Sequence, residues 1–306
     1  MVLGESYLKK MRAFTTVWGP YVDWMERTIV RSLLWPANNL AVKDSAWLIW
    51  TKRADEAKVL ELARRVGFAQ IDIGYLPDEV EGNHPMMGAV ILKAFLQTVK
   101  MCLNNGEQLL TLPPDTVMGD GSINALRLAG QFGDTCVAVP HIRVDASILG
   151  SLTDSPMSNP ALVSVAMKHQ HKAFSESEIG RDMSGSFVGG IAWQKLGKNL
   201  WSVQHALPTI YLANLKQSDY HFFGQSHDGL APTYGCFDHA WPQVLVKEQR
   251  QRTIGSSDAC FIAELTRAEL NVPPLTKAII DKPDAFWRHL SHNLHNKQNL
   301  FIMRGE

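Results

Sequence analysis

Along the first 140 residues, short apolar and β-branched runs alternate with longer stretches whose apolar positions recur every three or four residues. Ala13 to Trp18 (AFTTVW) is β-branched and aromatic and is stopped by Gly19-Pro20, which predicts a first strand. Tyr21 to Leu34 follows, with Val22, Met25, Ile29, Val30 and Leu33 at helical spacing. Ser45 to Thr51 (SAWLIWT) predicts a second strand. Asp55 to Val66 predicts an amphipathic helix ended by Gly67, and Ala69 to Leu76 a third strand. His84 to Leu103 has a long helical pattern. Gln108 to Leu112 reads as a fourth strand, Ser122 to Ala129 as a helix with Ser122 as its N-cap, and Thr135 to Pro140 as a fifth strand. Near-continuous apolar strands between amphipathic helices predict an α/β fold whose largely parallel, Rossmann-like sheet is flanked by helices.

The texture changes after Asp145. Ser151 to Pro160 and Ser175 to Gly190 are rich in turn formers, and later apolar runs are short and separated by His, Asp, Gly and Pro. Residues 146–306 therefore read as a loop-rich extension of the same sheet, one continuous domain with residues 1–145. At 306 residues, 45 % apolar and 20 % charged, the chain can bury a sizeable core. Zero formal net charge disfavours a broad nonspecific grip on nucleic acid. No run reaches the ~18 apolar residues of a membrane span. Cys102, Cys136, Cys236 and Cys260 form no CxxC pair and sit among apolar or small residues, as reduced buried thiols do. A cytoplasmic location is expected.

The stretch LLTLPPDTVMGDGS, Leu109 to Ser122, leaves the predicted fourth strand through two prolines and carries Asp115 and Asp120, the second between glycines. The exit of a strand is where α/β proteins place ligands. Three readings stand side by side: hard oxygens for a divalent metal on a diphosphate, an acid that holds a sugar hydroxyl, or a turn whose acid sits at a helix N-terminus. Further on, His205, His221, His227 and His239 lie near Asp228 and Asp238, a set compatible with acid–base chemistry, with metal ligation or with hydrogen-bonded turns. Their irregular spacing argues against a structural zinc. Met167 to Lys172 (MKHQHK) is a small basic run of the kind found on solvated helix faces. No Walker loop, G-x-G-x-x-G fingerprint or G-x-S-x-G elbow is present.

In order, FTTVWGPYVDWMERTIVRSLLWPANNL, WLIWT, LLTLPPDTVMGDGSINAL and CVAVPHIRVD resemble a group of bacterial glycosyltransferase-like proteins with the GT-A fold of nucleotide-diphospho-sugar transferases. HALPTIYLAN, GQSHDG and SSDACFIAEL extend the likeness more loosely. The resemblance implies a GT-A-like sheet and a nucleotide-sugar donor. Thr15, Val17 and Trp18 would lie near base and ribose, Asp115 and Asp120 would face the diphosphate or sugar, and Arg143 would neutralise phosphate. It implies a divalent metal, Mn2+ or Mg2+, held by Asp115 and His205, and Asp228 as the base of an inverting transfer. Residues 1–145 would then form the nucleotide-sugar half and residues 146–306 the acceptor side. The acceptor class stays open between a glycan, a lipid-linked saccharide and a modified DNA base of the kind phages make. Pro113 and Pro114 stand before Asp115 where a D-x-D clamp would carry a further acid. That departure leaves room for a binding module without catalysis. A nucleotidyltransferase is a further alternative, although WGPYVD replaces the glycine-rich loop expected after its first strand.

Overall fold

The computed structural model describes residues 9–80, 84–133, 136–139, 141–178, 191–205, 210–224, 250–266 and 300–306. The main sheet begins with β1 (Met11–Thr16), β2 (Ala46–Thr51), β3 (Gln70–Tyr75) and β4 (Gln108–Thr111). β5 (Thr116–Met118), β6 (Cys136–Val139), β7 (His141–Asp145), β8 (Ile191–Gly197), β9 (Leu200–His205) and β10 (Ile210–Ala213) follow in the chain. β11 (Gln251–Thr253), β12 (Ile262–Thr266) and β13 (Leu300–Arg304) complete the strands.

Seven strands form the main sheet in the order β11-β6-β10-β4-β1-β2-β3. All pairings are parallel except those of β10, which runs against β4 and β6. The predicted α/β architecture is thus present, and β10 and β11 bring the second half of the chain into the sheet of the first. Helices cover both faces. On one lie α1 (Tyr21–Met25), a π turn over Glu26–Val30, α2 (Arg31–Leu34), α3 (Pro36–Val42), α4 (Glu56–Val66) and α6 (Ser122–Gly130); on the other lie α5 (His84–Asn105) and α9 (Gln217–Gly224). The strands bury both sides: Met11, Ala13, Trp47, Ile49 and Leu110 enter the first core, while Phe14 and Leu109 enter the second. This explains why β1, β2 and β4 read as unbroken apolar runs. α4 presents Val59, Leu62, Ala63 and Val66, one stripe at i, i+3, i+4, i+7.

A second sheet, β5-β12-β7, starts where β4 and β6 leave the carboxyl edge of the first, and β13-β9-β8 form a third. α7 (Asn159–Lys168) and α8 (Lys172–Ser175) complete a core around Trp35, Val117, Ile142, Val144, Phe174, Trp193 and Val203. The MKHQHK run closes α7 but is not a uniformly solvated face. His171 is buried, and His169 places Nδ1 2.9 Å from the Ser147 hydroxyl and Nε2 2.8 Å from that of Ser151. Cys102, Cys136 and Cys260 are buried and free; burial pushes all three thiols up, Cys102 and Cys260 to about 12, so none is a nucleophile at neutral pH. Cys236 lies outside the described residues. Among them no helix is long and apolar enough to cross a membrane.

Beside α6, the buried Arg127 grips Asp44 with two hydrogen bonds of 2.7 and 2.9 Å. These hold the Asp44 carboxyl below its usual range. A depressed carboxyl stabilises the fold above its unfolded value near ~4 and loses that contribution as pH falls through the folded value. Acid titration of the melting midpoint should therefore show a fall below about pH 4 that Asp44→Asn shows less of. Equal slopes in the two proteins would remove this pair from the acid response.

Candidate functional site

The carboxyl ends of β1, β2, β3 and β4 share one edge, because these strands are parallel and adjacent. Backbone bonds carry the pairing one step further: Val17 N donates to Trp50 O, Leu76 N to Thr51 O and Leu112 N to Phe14 O, each at 2.9 Å. Thr15 and Val17 lie beneath this edge and not on it. Val17 is wholly buried in the first core; the Thr15 hydroxyl donates to Leu112 O at 2.7 Å and accepts from Trp47 Nε1 at 2.9 Å. Of the three residues read as a base and ribose contact, only Trp18 is half-exposed there. Gly19 N, next along, donates to Asp55 Oδ2 at 2.8 Å.

Sequence reading missed the rest of this edge. Lys52, buried, donates from Nζ to Asp78 O at 3.0 Å, and the Arg53 guanidinium stacks 4.2 Å from the centre of the exposed Tyr75 ring. The Tyr75 hydroxyl is raised by its hydrogen bond to Glu56. Thr51 Oγ1 is buried with no hydrogen-bond partner among the described residues. Lys-Arg directly after a strand that ends in Thr was the available signal; the stacking partner on the next strand was not.

The turn after β4 is a hub. Asp120 Oδ1 accepts from Ala37 N at 2.9 Å and Asn38 N at 3.0 Å, so this acid caps the N-terminus of α3. In return, the fully buried Asn38 accepts with Oδ1 from Gly121 N and Ile123 N, both at 3.1 Å, at the start of α6. Its Nδ2 donates to Ser32 O at 3.1 Å and Gly119 O at 3.0 Å. The flanking glycines follow from this packing. Gly121 takes φ +93°, and a Cβ on Gly119 would collide with Asn159. The N-cap of α6 is therefore Gly121, not Ser122; Ser122 instead donates to Asn159 Oδ1 at 2.8 Å. Asp120, read as facing the diphosphate or sugar, thus has Oδ1 taken by two backbone amides.

Asp115 lies in the same turn, half-buried, and its carbonyl accepts from Leu265 N at 2.7 Å, which ties the turn to β12. On β12, Glu264 stands in register between Thr116 of β5 and Arg143 of β7. Strand alternation puts His141, Arg143 and Asp145 of β7 and Glu264 and Thr266 of β12 on one face. The opposite face carries Ile142, Val144, Ala263 and Leu265 into the core. This polar face has leftover capacity: Arg143 Nε and Thr266 Oγ1 are buried and have no hydrogen-bond partner among the described residues. Buried polar groups are nearly always satisfied, so leftovers of this kind call for a partner, a ligand or water among the candidates. His205 ends β9 in the third sheet, its backbone opposite Ile191. His221 is exposed on α9. Asp228, His227, Asp238 and His239 lie outside the described residues.

Among the described residues the metal implied by the resemblance finds no ligand set. Asp115 brings one carboxylate, prolines precede it, and among the described residues no group of three or more His, Cys, Asp or Glu is placed to hold a metal ion.

No protein-family model and no curated protein sequence matches the chain. Among solved structures, TarS 1–349 of S. aureus matches with TM-score 0.33 and 9 % identity over 45 % of this chain and 37 % of that one. The chain thus spans under two fifths of the length of that protein. The 4-diphosphocytidyl-2C-methyl-D-erythritol synthase of Anaerococcus prevotii matches with TM-score 0.39 and 11 % identity, over 92 % of this chain and 99 % of that one. GalNAc-T7, solved with UDP, GalNAc and Mn2+, matches with TM-score 0.45 and 7 % identity over 87 % and 45 %.

Proposed function

We propose that the chain is a GT-A-like glycosyltransferase that binds a nucleotide-diphosphate sugar across the carboxyl edge of its main sheet. The observation that carries this reading is Arg143. It is a half-buried guanidinium with no ion pair and an unmatched Nε among the described residues, on a strand that leaves this same edge. A guanidinium matches two phosphate oxygens at once. The base and ribose would meet Trp18 and the Arg53–Tyr75 stack, over the platform that Thr15 and Val17 support from below, with the diphosphate toward Asp115 and Arg143.

In the transfer, the bond from the anomeric carbon to the diphosphate breaks and a bond to the acceptor oxygen forms. Arg143 offsets the charge that grows on the leaving diphosphate. Asp228 is proposed to take the acceptor proton, since a carboxylate next to Gly229 in a Gly- and Pro-rich stretch of sequence is suited to approach a hydroxyl closely. Should Mn2+ prove necessary, Asp115 and His205 are the residues to probe. A glycan, a lipid-linked saccharide or a modified DNA base would serve as acceptor. The capping role of Asp120 favours the second reading, a nucleotide-sugar-binding module, and a nucleotidyltransferase would use the same edge.

Calorimetry with UDP, GDP, CDP and ADP, with and without Mn2+, should show binding with one preferred base. Binding of none overturns the proposal. Asp228→Asn should leave that binding intact and abolish transfer to the acceptor. Transfer of the nucleotidyl group of a nucleoside triphosphate to a sugar 1-phosphate, giving a diphosphate-sugar and releasing pyrophosphate, would instead identify a nucleotidyltransferase. A wild type that binds donor and transfers to no acceptor offered identifies a binding module.

A further inference from the structure

Arg143 has two carboxylates beside it on the same sheet face, yet it is bonded to neither. Glu264 is its register partner on β12, and Asp145 lies two residues further along β7. Each has a contact elsewhere. Glu264 Oε2 sits 2.7 Å from Nε2 of His141, a residue whose side chain is 1 % exposed. Asp145 Oδ1 accepts from Ser147 N at 2.8 Å, and this bond holds its carboxyl below the usual range. A partly buried guanidinium beside two carboxylates would ordinarily pair with one, because that attraction grows as water is removed. The structure diverts both.

We infer that His141 is a positioning residue that draws the Glu264 carboxylate off Arg143 and so keeps the guanidinium open for a diphosphate. The inference rests on the nucleotide reading above and adds a mechanism to it. His141, Glu264 and Arg143 occupy neighbouring places on one face: His141 and Arg143 are i and i+2 on β7, and Glu264 is opposite Arg143. With His141 in place, the negative charge of Glu264 is anchored at the end of the face that runs into the main core, where Met118 and Ile262 are buried. Without the imidazole the Glu264 carboxylate loses this contact and can turn toward Arg143, the cation opposite it in register. It then competes with phosphate for the same guanidinium. Thr266 extends the same face beyond Arg143, 4 % exposed and with an unmatched hydroxyl, in position to donate to a further oxygen of the ligand.

The test compares His141→Phe, Glu264→Gln and the double variant for binding of the preferred nucleoside diphosphate and of inorganic pyrophosphate, alongside thermal melts. His141→Phe should weaken both ligands by about tenfold. Glu264→Gln alone should bind at least as tightly as wild type. The double variant should recover to within about threefold of wild type, because a neutral amide no longer competes. That recovery separates positioning from a merely structural histidine, whose loss a second change at Glu264 would not repair. NMR of the arginine Nε–H groups gives a ligand-free readout: the Arg143 resonance should move in His141→Phe and return in the double variant. If His141→Phe folds poorly, His141→Asn carries the same comparison. An Arg143 resonance and affinities unmoved by loss of His141 overturn the inference. A wild type that binds neither ligand overturns the nucleotide reading, while the resonance still decides whether His141 controls the Glu264–Arg143 contact.

Discussion

Arg143→Met should weaken nucleoside-diphosphate binding by about 30- to 100-fold and leave the melting midpoint nearly unchanged. The size follows from charge-assisted hydrogen bonds, worth roughly 1.5–3 kcal/mol each when partly shielded from water. The selectivity follows from the structure. Arg143 makes no ion pair among the described residues, and its Nε has no partner, so the ligand-free protein gives up little when the guanidinium goes. Methionine keeps the length of the stem against the sheet. Arg143→Lys should recover only part of the affinity, because an ammonium is a point charge and not a fork. The loss should be equal for UDP and for the other diphosphates tested, since a phosphate contact carries no information about the base. Calorimetry on the variant decides it: unchanged affinity removes Arg143 from the site, and a loss confined to one base places it on the wrong part of the ligand.

Where the physics was local, the sequence was legible. Each of the five predicted strands of the first half lies within two residues of an observed one, because strands buried on both faces are short apolar runs bracketed by turn formers. α4 could be read from its stripe alone. α3 was missed. It is seven residues long, starts right after the end of α2 and owes its start to Asp120, more than eighty residues away. The second sheet was only half visible, since β5 has three residues and its partner β12 comes from the far end of the chain. The candidate site divides in the same manner. Arg143 and Trp18 were named from short motifs, and both are half-exposed. Thr15 and Val17 were named from the same strand but point into packing, a distinction that depends on which face each residue takes. The Arg53–Tyr75 stack and the His141–Glu264 pair join residues on different strands, and one sequence cannot show which strands are neighbours.

The same limit explains the two acids of the turn after β4, and it leads to the second large effect. Asn38→Ala should destabilise the protein by about 4 kcal/mol. The Asn38 side chain is fully buried and makes four hydrogen bonds, two to carbonyls and two to amides, all to backbone. Alanine leaves four buried backbone groups partly unsatisfied, and one such group costs roughly 1–3 kcal/mol before relaxation. Asn38→Asp should be nearly as harmful, because it turns an oxygen toward the carbonyls of Ser32 and Gly119 where an amide donated. Asp120→Asn should cost far less, about 0.5–1 kcal/mol: the amide oxygen still accepts from Ala37 and Asn38, and only the charge at the helix start is lost. A turn built to lock α3 to α6 predicts Asn38 far above Asp120 in stability and neither in chemistry per folded molecule. Chemical denaturation and turnover measured on the same three variants test it together. If Asp120→Asn unfolds at the wild-type denaturant concentration while losing on the order of 100-fold in rate, Asp120 belongs to the reaction after all and its cap is incidental.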